Sequence, residues 1–324
     1  MKLSINFLLK QLFLILALAL FGQSSMAQSN TLRIVYTFGP GGSGDISGRL
    51  IGNHIQKTLG IPVIVENKVG AGGSIAADTV KSAKPDGNTV LLAFMGTMVI
   101  LPHTMDSLRF DPFKDFEPIS IIANSPLALT VSSTTQATNL KDYVAKIKSG
   151  AVPKFFGVAP LGGLPHFLGL KFAATSGIEL TAVGYKGGAQ MVQALVSGEI
   201  PATYSTPADL IAMHKADKVK ILAVSAPKRL PFLADVPTFK EQGFDVEANT
   251  WLGLFAPKGT PSEIVARIAN AVADALKDPT ISQRMSEMSL DPSGLGPKGL
   301  ADVMRLDYDR WGPVIKASGY RVKD

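Results

Sequence analysis

Two spacings of apolar residues alternate along most of this chain. The run Leu32-Arg33-Ile34-Val35-Tyr36-Thr37-Phe38 is rich in β-branched and aromatic residues and predicts a strand. Ile46, Leu50, Ile51 and Ile55, just downstream, recur at helical spacing. Further strands are predicted over 62–66 and 88–94, with a small-residue helix over 74–82 between them. A proline-rich passage over 111–118 interrupts the rhythm, and strand-like runs resume at 119–122 and 127–131. Asn139 is placed to cap a helix over 140–148. Strands over 155–159, 180–185 and 219–225 follow, with helices from about Pro165 and over 189–196 between them. The tail holds a strand over 250–255 and long helices over 261–276 and 297–315.

Consecutive βαβ units imply an α/β fold of mostly parallel sheets with helices on both faces. If 127–131 and 250–255 both cross between lobes, lobe 1 comprises 28–127 plus 250–324 and lobe 2 is the insert 128–249. Two crossings make a hinge, and a hinge between two lobes makes a cleft.

The N-terminus changes the picture of where such a protein works. Lys2 and Lys10 supply positive charge, 12–21 is uninterruptedly apolar, and Ser25-Met26-Ala27 offers a small-x-small cleavage site. Residues 1–27 therefore read as a cleavable secretory signal peptide, which predicts a soluble periplasmic protein. The apolar run is shorter than the roughly 20 residues a spanning helix needs. With no cysteine in the chain, neither a lipid-anchoring thiol nor a disulfide is available. The formal charge of +6 falls to +4 without Lys2 and Lys10, and it is scattered among apolar and acidic residues. No basic stripe or aromatic platform supports a nucleic-acid partner.

Candidate chemistry gathers at glycine-rich corners between strands and helices. Gly39-Pro40-Gly41-Gly42-Ser43-Gly44-Asp45 brings bare backbone N–H groups to a helix start, with Asp45 in the position expected of an N-cap. Leu161-Gly162-Gly163-Leu164-Pro165 before His166, and Tyr185-Lys186-Gly187-Gly188 before Gln193, repeat the arrangement in the second half. Such corners suit an anion, a carboxylate or a phosphate, held outside the carboxyl ends of strands. The rival reading uses the same opening motif. Gly39, Gly41 and Gly44 satisfy G-x-G-x-x-G, and Glu66 follows about twenty residues later where a ribose-binding acid would stand, so a nicotinamide-dependent oxidoreductase is the alternative.

Other catalytic signals are weak. Ser225-Ala226-Pro227-Lys228 fits S-x-x-K without partner motifs, and His54, His103, His166 and His214 lack metal-ligand spacing. Trp251 and Trp311 are core candidates first and ligand platforms second.

Several longer stretches resemble the Bug-type periplasmic receptors of tripartite tricarboxylate transporters. They are PGGSGDISGRL at 40–50, LGIPVIVENKVGAGGSIAADTV at 59–80, KPDGNTVLLAF at 84–94, DPFKDFEPI at 111–119, YKGGAQMVQALVSGEI at 185–200 and LGLFAPKGTP at 252–261. The resemblance implies a type II periplasmic binding protein: two parallel-sheet α/β lobes joined by a two-strand hinge. It implies capture of a small organic acid, without catalysis, cofactor or metal, and delivery to membrane transporter subunits by a monomeric receptor. Carried onto this sequence, the implied ligand-binding positions are Phe38, Gly41, Gly42, Asp45, Gly96 and Thr97 in the first lobe. In the second they are Gly162, Gly163, His166, Lys186, Gly187, Gly188 and Thr206. The chain departs from the usual pattern at Gly39, Val69, 161–164 and 200–203, and the last two departures suggest a ligand with an apolar or aromatic body.

Overall fold

Alternation in β1 (Leu32–Tyr36) decides how the first layer packs. Leu32, Ile34 and Tyr36 enter one core cluster and Val35 another, on the opposite face, as a strand covered on both sides requires. The computed structural model describes residues 31–159, 161–185 and 187–322. The signal-peptide reading of 1–27 and the candidate Lys186 therefore lie outside the described residues. No helix among the described residues is long and apolar enough to cross a membrane.

After β1 come β2 (Val63–Asn67), β3 (Thr89–Phe94), β4 (Phe116–Pro126), β5 (Ala128–Ser132), β6 (Phe155–Val158), β7 (Thr181–Gly184), β8 (Ala202–Ser205), β9 (Val219–Val224), β10 (Asn249–Pro257) and β11 (Asp291–Leu295). The helices are α1 (Ser43–Leu59), α2 (Ser74–Lys81), α3 (Leu101–Thr104), α4 (Leu140–Lys148), α5 (Leu164–Ser176), α6 (Gly188–Ser197), α7 (Ile211–Lys215), α8 (Ser262–Lys277), α9 (Pro279–Glu287) and α10 (Pro297–Ser318). One sheet has the order β11-β4-β10-β3-β1-β2 and the other β7-β6-β8-β5-β9. The chain therefore builds two α/β lobes, each on its own sheet.

Each sheet keeps a parallel core, β3-β1-β2 in one and β7-β6-β8 in the other. The strands that pass between the lobes are antiparallel to these cores, so both sheets are mixed where the βαβ rhythm suggests mostly parallel ones. The cause is topological: a strand that leaves a sheet and a strand that returns to it run in opposite directions. Short or polar elements escape the apolar pattern. These are β8, which follows Pro201 directly, the exposed edge strand β11, and helices α7 and α9.

Helix α1 sits close on its sheet because Gly44, Gly48 and Gly52 fall on one helical face. A Cβ on each would meet Tyr36, Leu92 and Val63 at 2.4, 2.7 and 3.0 Å respectively. That close approach fixes where the helix start lies relative to the end of β1.

The hinge follows from strand direction. β4 ends at Pro126 and β5 begins at Ala128, with only Leu127 between them. β10 pairs antiparallel with β4 and with β3, so β3, and with it β1 and β2, runs toward the hinge. β8 is antiparallel to β5, which leaves the hinge, so β8, β6 and β7 run toward it as well. The carboxyl ends of both parallel cores therefore face each other across the crossing strands.

Ser225 ties these crossings together. Its hydroxyl accepts the Leu127 N–H at 2.9 Å and donates to the Ala248 carbonyl, and its own backbone pairs with both residues. The side chain is fully buried, so the serine of the S-x-x-K pattern is a structural knot and not an exposed nucleophile. Ser225→Ala leaves the Leu127 N–H and the Ala248 carbonyl without their side-chain partner. It should lower unfolding free energy by about 1–3 kcal/mol, read from urea midpoints at constant m-value.

Candidate functional site

The first glycine corner is shaped by an internal anion. α1 begins at Ser43 with Gly42 as its N-cap, so Asp45 lies in the first helical turn and does not occupy the capping position the sequence suggests. The Asp45 carboxylate accepts the Gly41 N–H at 2.9 Å and the Asn67 Nδ2 at 3.0 Å, and takes a fork from Arg49 Nε and Nη2 at 3.1 and 2.9 Å. Asn67 also donates to the Phe38 carbonyl, and its own carbonyl oxygen accepts from Arg49. Burial works to raise the Asp45 carboxyl. The bonds from Arg49, Gly41 and Asn67 and the Arg49 charge outweigh it and hold the group below the ordinary carboxylate range.

This network holds the loop in a form only glycine takes easily at position 41, where φ is +87°. With no side chain capping α1, its first-turn amides remain oriented toward the cleft-facing edge.

A second corner joins the ends of β1 and β3. Thr97, fully buried, donates its hydroxyl to the Gly72 carbonyl at 2.9 Å. Gly73, at φ +96°, has no room for a Cβ, because Thr97 Oγ1 and Thr37 Cβ would lie 2.5 and 2.9 Å away. Gly96 opens a short π-helical segment over Gly96–Ile100, a geometry frequent beside functional sites. Thr37 Oγ1 is buried at this junction and has no hydrogen-bond partner among the described residues. An orphaned buried hydroxyl is costly, and this one is packed beneath the corner with no opening to the cleft.

In the second lobe, Gly163 is the N-cap of α5 and Gly187 that of α6, neither with a side-chain cap. His166 is buried, and its Nδ1 accepts the Gly162 N–H at 3.3 Å. That bond requires the neutral imidazole with its proton on Nε2, and burial lowers the His166 pKa in the same sense. Thr206 turns its hydroxyl to Asp209 Oδ2 at 2.8 Å.

The structure thus brings Phe38, Gly41, Gly42, Asp45, Gly96 and Thr97 to one carboxyl edge, and Gly162, Gly163, His166, Gly187, Gly188 and Thr206 to the other. Asp45, Thr97, His166 and Thr206 direct their polar side chains to protein partners. Trp251 and Trp311 are buried, and the Trp251 Nε1 donates to Asp307 at 2.9 Å.

Two residues at this site escape sequence reasoning. Thr37 is the single polar residue between Ile34 and Phe38, a signal that was readable. Tyr320 was not readable, since it acts across 159 positions: its hydroxyl donates to the Leu161 carbonyl at 3.2 Å. Its ring stands edge-on to His166 at 5.3 Å and fills the space a Gly162 Cβ would need, within 2.4–2.6 Å. Of the residues behind the dinucleotide alternative, Glu66 is ion-paired with Arg33 and Lys68, and Gly44 packs on the Tyr36 ring, the close helix–strand contact that the third glycine of that motif also makes. Among the described residues, no group of three His, Cys, Asp or Glu could hold a metal ion.

Two expectations follow. Because its native pKa is depressed, Asp45 stabilises the fold above the ordinary carboxyl value of about 3.9, and that contribution disappears as pH falls through the lower native value. Asp45→Asn should therefore be less stable than wild type at pH 7, with the difference shrinking as pH falls below the ordinary carboxyl value, by urea titration. Gly162→Ala, at φ +83° and against the Tyr320 ring, should cost about 1–2 kcal/mol. Adding Tyr320→Ala should recover part of that loss, and a double-mutant cycle gives the coupling.

Comparison with known proteins places this geometry. Residues 48–320 match the family described as tripartite tricarboxylate transporter family receptor. A UPF0065 protein in the TAR-I ttuE-ttuC' intergenic region of Agrobacterium vitis is 31% identical over 295 residues, 90% of this chain and 85% of that one. BugT of Bordetella pertussis is 26% identical over 294 residues, covering 90% of each chain. Among solved structures, MatC from Rhodopseudomonas palustris with bound malate is 30% identical with a TM-score of 0.74, covering 88% of this chain and 98% of its own. R. palustris Rpa4515 with adipate is 30% identical with a TM-score of 0.77, covering 89% and 97%. This chain belongs to the tripartite tricarboxylate transporter receptor family, the Bug-type solute-binding proteins.

Proposed function

We propose that this protein is a periplasmic receptor that captures a small organic acid between its lobes and delivers it to the membrane subunits of a tripartite tricarboxylate-type transporter. The observation that carries the reading is the placement of uncapped helix starts at Gly42, Gly163 and Gly187 on two facing carboxyl edges. Backbone N–H groups at helix N-termini favour an anion, and a carboxylate has the acceptor geometry to take several of them. The malate on MatC and the adipate on Rpa4515 support a carboxylate as that anion.

In this reading residues 1–27 are the export signal, lobe 1 is 28–127 plus 250–324, and lobe 2 is 128–249. Lobe closure stabilises the filled state, since donors from both edges reach one ligand only when the cleft is shut. The receptor works as a monomer and without catalysis or cofactor, and the transporter reads the closed shape.

The test is a thermal-shift screen of the purified protein against malate, adipate, citrate, benzoate and acidic amino acids, with NAD as the control. A true ligand at 100 times its Kd adds about 2.7 kcal/mol and raises Tm by several degrees. A shift with a carboxylate class supports the receptor, whereas a shift with NAD alone overturns it in favour of the oxidoreductase.

A further inference from the structure

The two glycine corners are held in place by different means. At the first, Asp45, Arg49 and Asn67 fix the loop backbone from within the same lobe. The second, Leu161-Gly162-Gly163, has no buried acid of its own. Outside helix α5, its own lobe ties it through the Gly162 N–H to His166 Nδ1, at 3.3 Å. Gly162 at φ +83° and the uncapped Gly163 give this corner a freedom that binding would have to freeze.

The missing support comes from the other lobe. α10 packs on β4 and α3 of the first lobe and also on α5 of the second. Trp311 and Ile315 of α10 share one buried core with Phe167 and Phe172 of α5, and Lys171 of α5 lies over the Trp311 ring at 5.4 Å. The helix is closed by Gly319 at φ +65°, just before Tyr320. Beyond Tyr320 the chain is anchored on α3: Arg321 Nη1 donates to the His103 carbonyl at 3.0 Å, and the Val322 N–H to the Thr104 carbonyl at 2.8 Å.

Between these anchors Tyr320 reaches the second lobe. Its hydroxyl donates to the Leu161 carbonyl at 3.2 Å, and its ring fills the space a Gly162 Cβ would take. The ring stands edge-on to His166 and Phe167 at 5.3 and 6.0 Å. Burial raises the Tyr320 hydroxyl above its ordinary value, so it stays a protonated donor across neutral pH.

Resting on the receptor reading, we propose that Tyr320 is a positioning residue for the second glycine corner. Seated in the first lobe, it holds the Leu161 carbonyl and the Gly162 backbone from across the lobe boundary, so that the start of α5 is ordered before a ligand arrives. A ligand then meets a corner whose conformational entropy has already been lost. The effect of Tyr320 runs through the backbone of the corner and not through a contact with the acid.

The experiment pairs peptide-level hydrogen exchange of the unliganded protein with isothermal titration of malate, adipate, citrate, benzoate and glutamate. Wild type, Tyr320→Phe and Tyr320→Ala are compared, each purified from cells expressing the full chain. Tyr320→Ala should speed exchange over 161–166, leave β1, β3 and β8 as in wild type, and weaken the tightest-binding acid about tenfold. Tyr320→Phe keeps the ring against Gly162 and loses the bond to Leu161, and it should weaken the same acid about threefold. Should Tyr320→Ala speed exchange throughout the chain, Tyr320→Phe decides by the same two readouts. Exchange over 161–166 that is indifferent to the substitution, or faster exchange with unchanged affinity, overturns this proposal and leaves the receptor reading standing. Absence of binding by all five acids overturns both.

Discussion

Everything the molecule can do with two lobes depends on the hydrogen-bonded knot at Ser225. Two chain segments cross between the lobes, and Ser225 is bonded to both of them, through Leu127 on one side and Ala248 on the other. A hinge needs residues that absorb rotation while the elements on either side stay rigid. The knot ties Leu127, between β4 and β5, to Ser225 and through it to Ala248 at the approach to β10, so the two antiparallel crossings are held side by side. The β4–β10 ladder and the Tyr320–Leu161 bond reinforce the same arrangement on either side of it.

The same economy appears in the first glycine loop. A flexible glycine-rich loop that ordered itself on each binding event would lose affinity to conformational entropy. Here the ordering is done in advance, by a buried carboxylate that consumes one loop amide and an arginine fork to fix the rest. The acid in the motif thus serves the backbone and not the ligand. That is why a negative charge is compatible with an anion site: its field is largely neutralised by Arg49 and by the amide dipoles aimed at it.

Much of this was legible in the residues. Strands over 32–38, 62–66 and 88–94 and the Asn139 cap follow from periodicity and turn chemistry, because apolar spacing is the strongest local signal a sequence carries. The elements that escaped it lack that spacing: β8 is four residues behind a proline, and β11 is an exposed edge containing its own Pro292 and Gly294. At the site, the glycine corners were visible, but the commitments of their neighbours were not. Asp45 as the hub of the loop, Thr97 on Gly72 and His166 on Gly162 depend on contacts between backbone segments whose meeting only the fold decides.

Tyr320 carries a consequence for how the end of the chain tolerates change. Chain ends are usually the most permissive part of a domain, tolerant of trimming and extension. Here the last described turn reaches the ligand-facing corner of the opposite lobe, with Arg321 and Val322 bonded to the backbone of His103 and Thr104 beside it. Tyr320 instead braces a glycine corner 159 positions away, so a change near the end of the described residues is felt at Leu161 and Gly162.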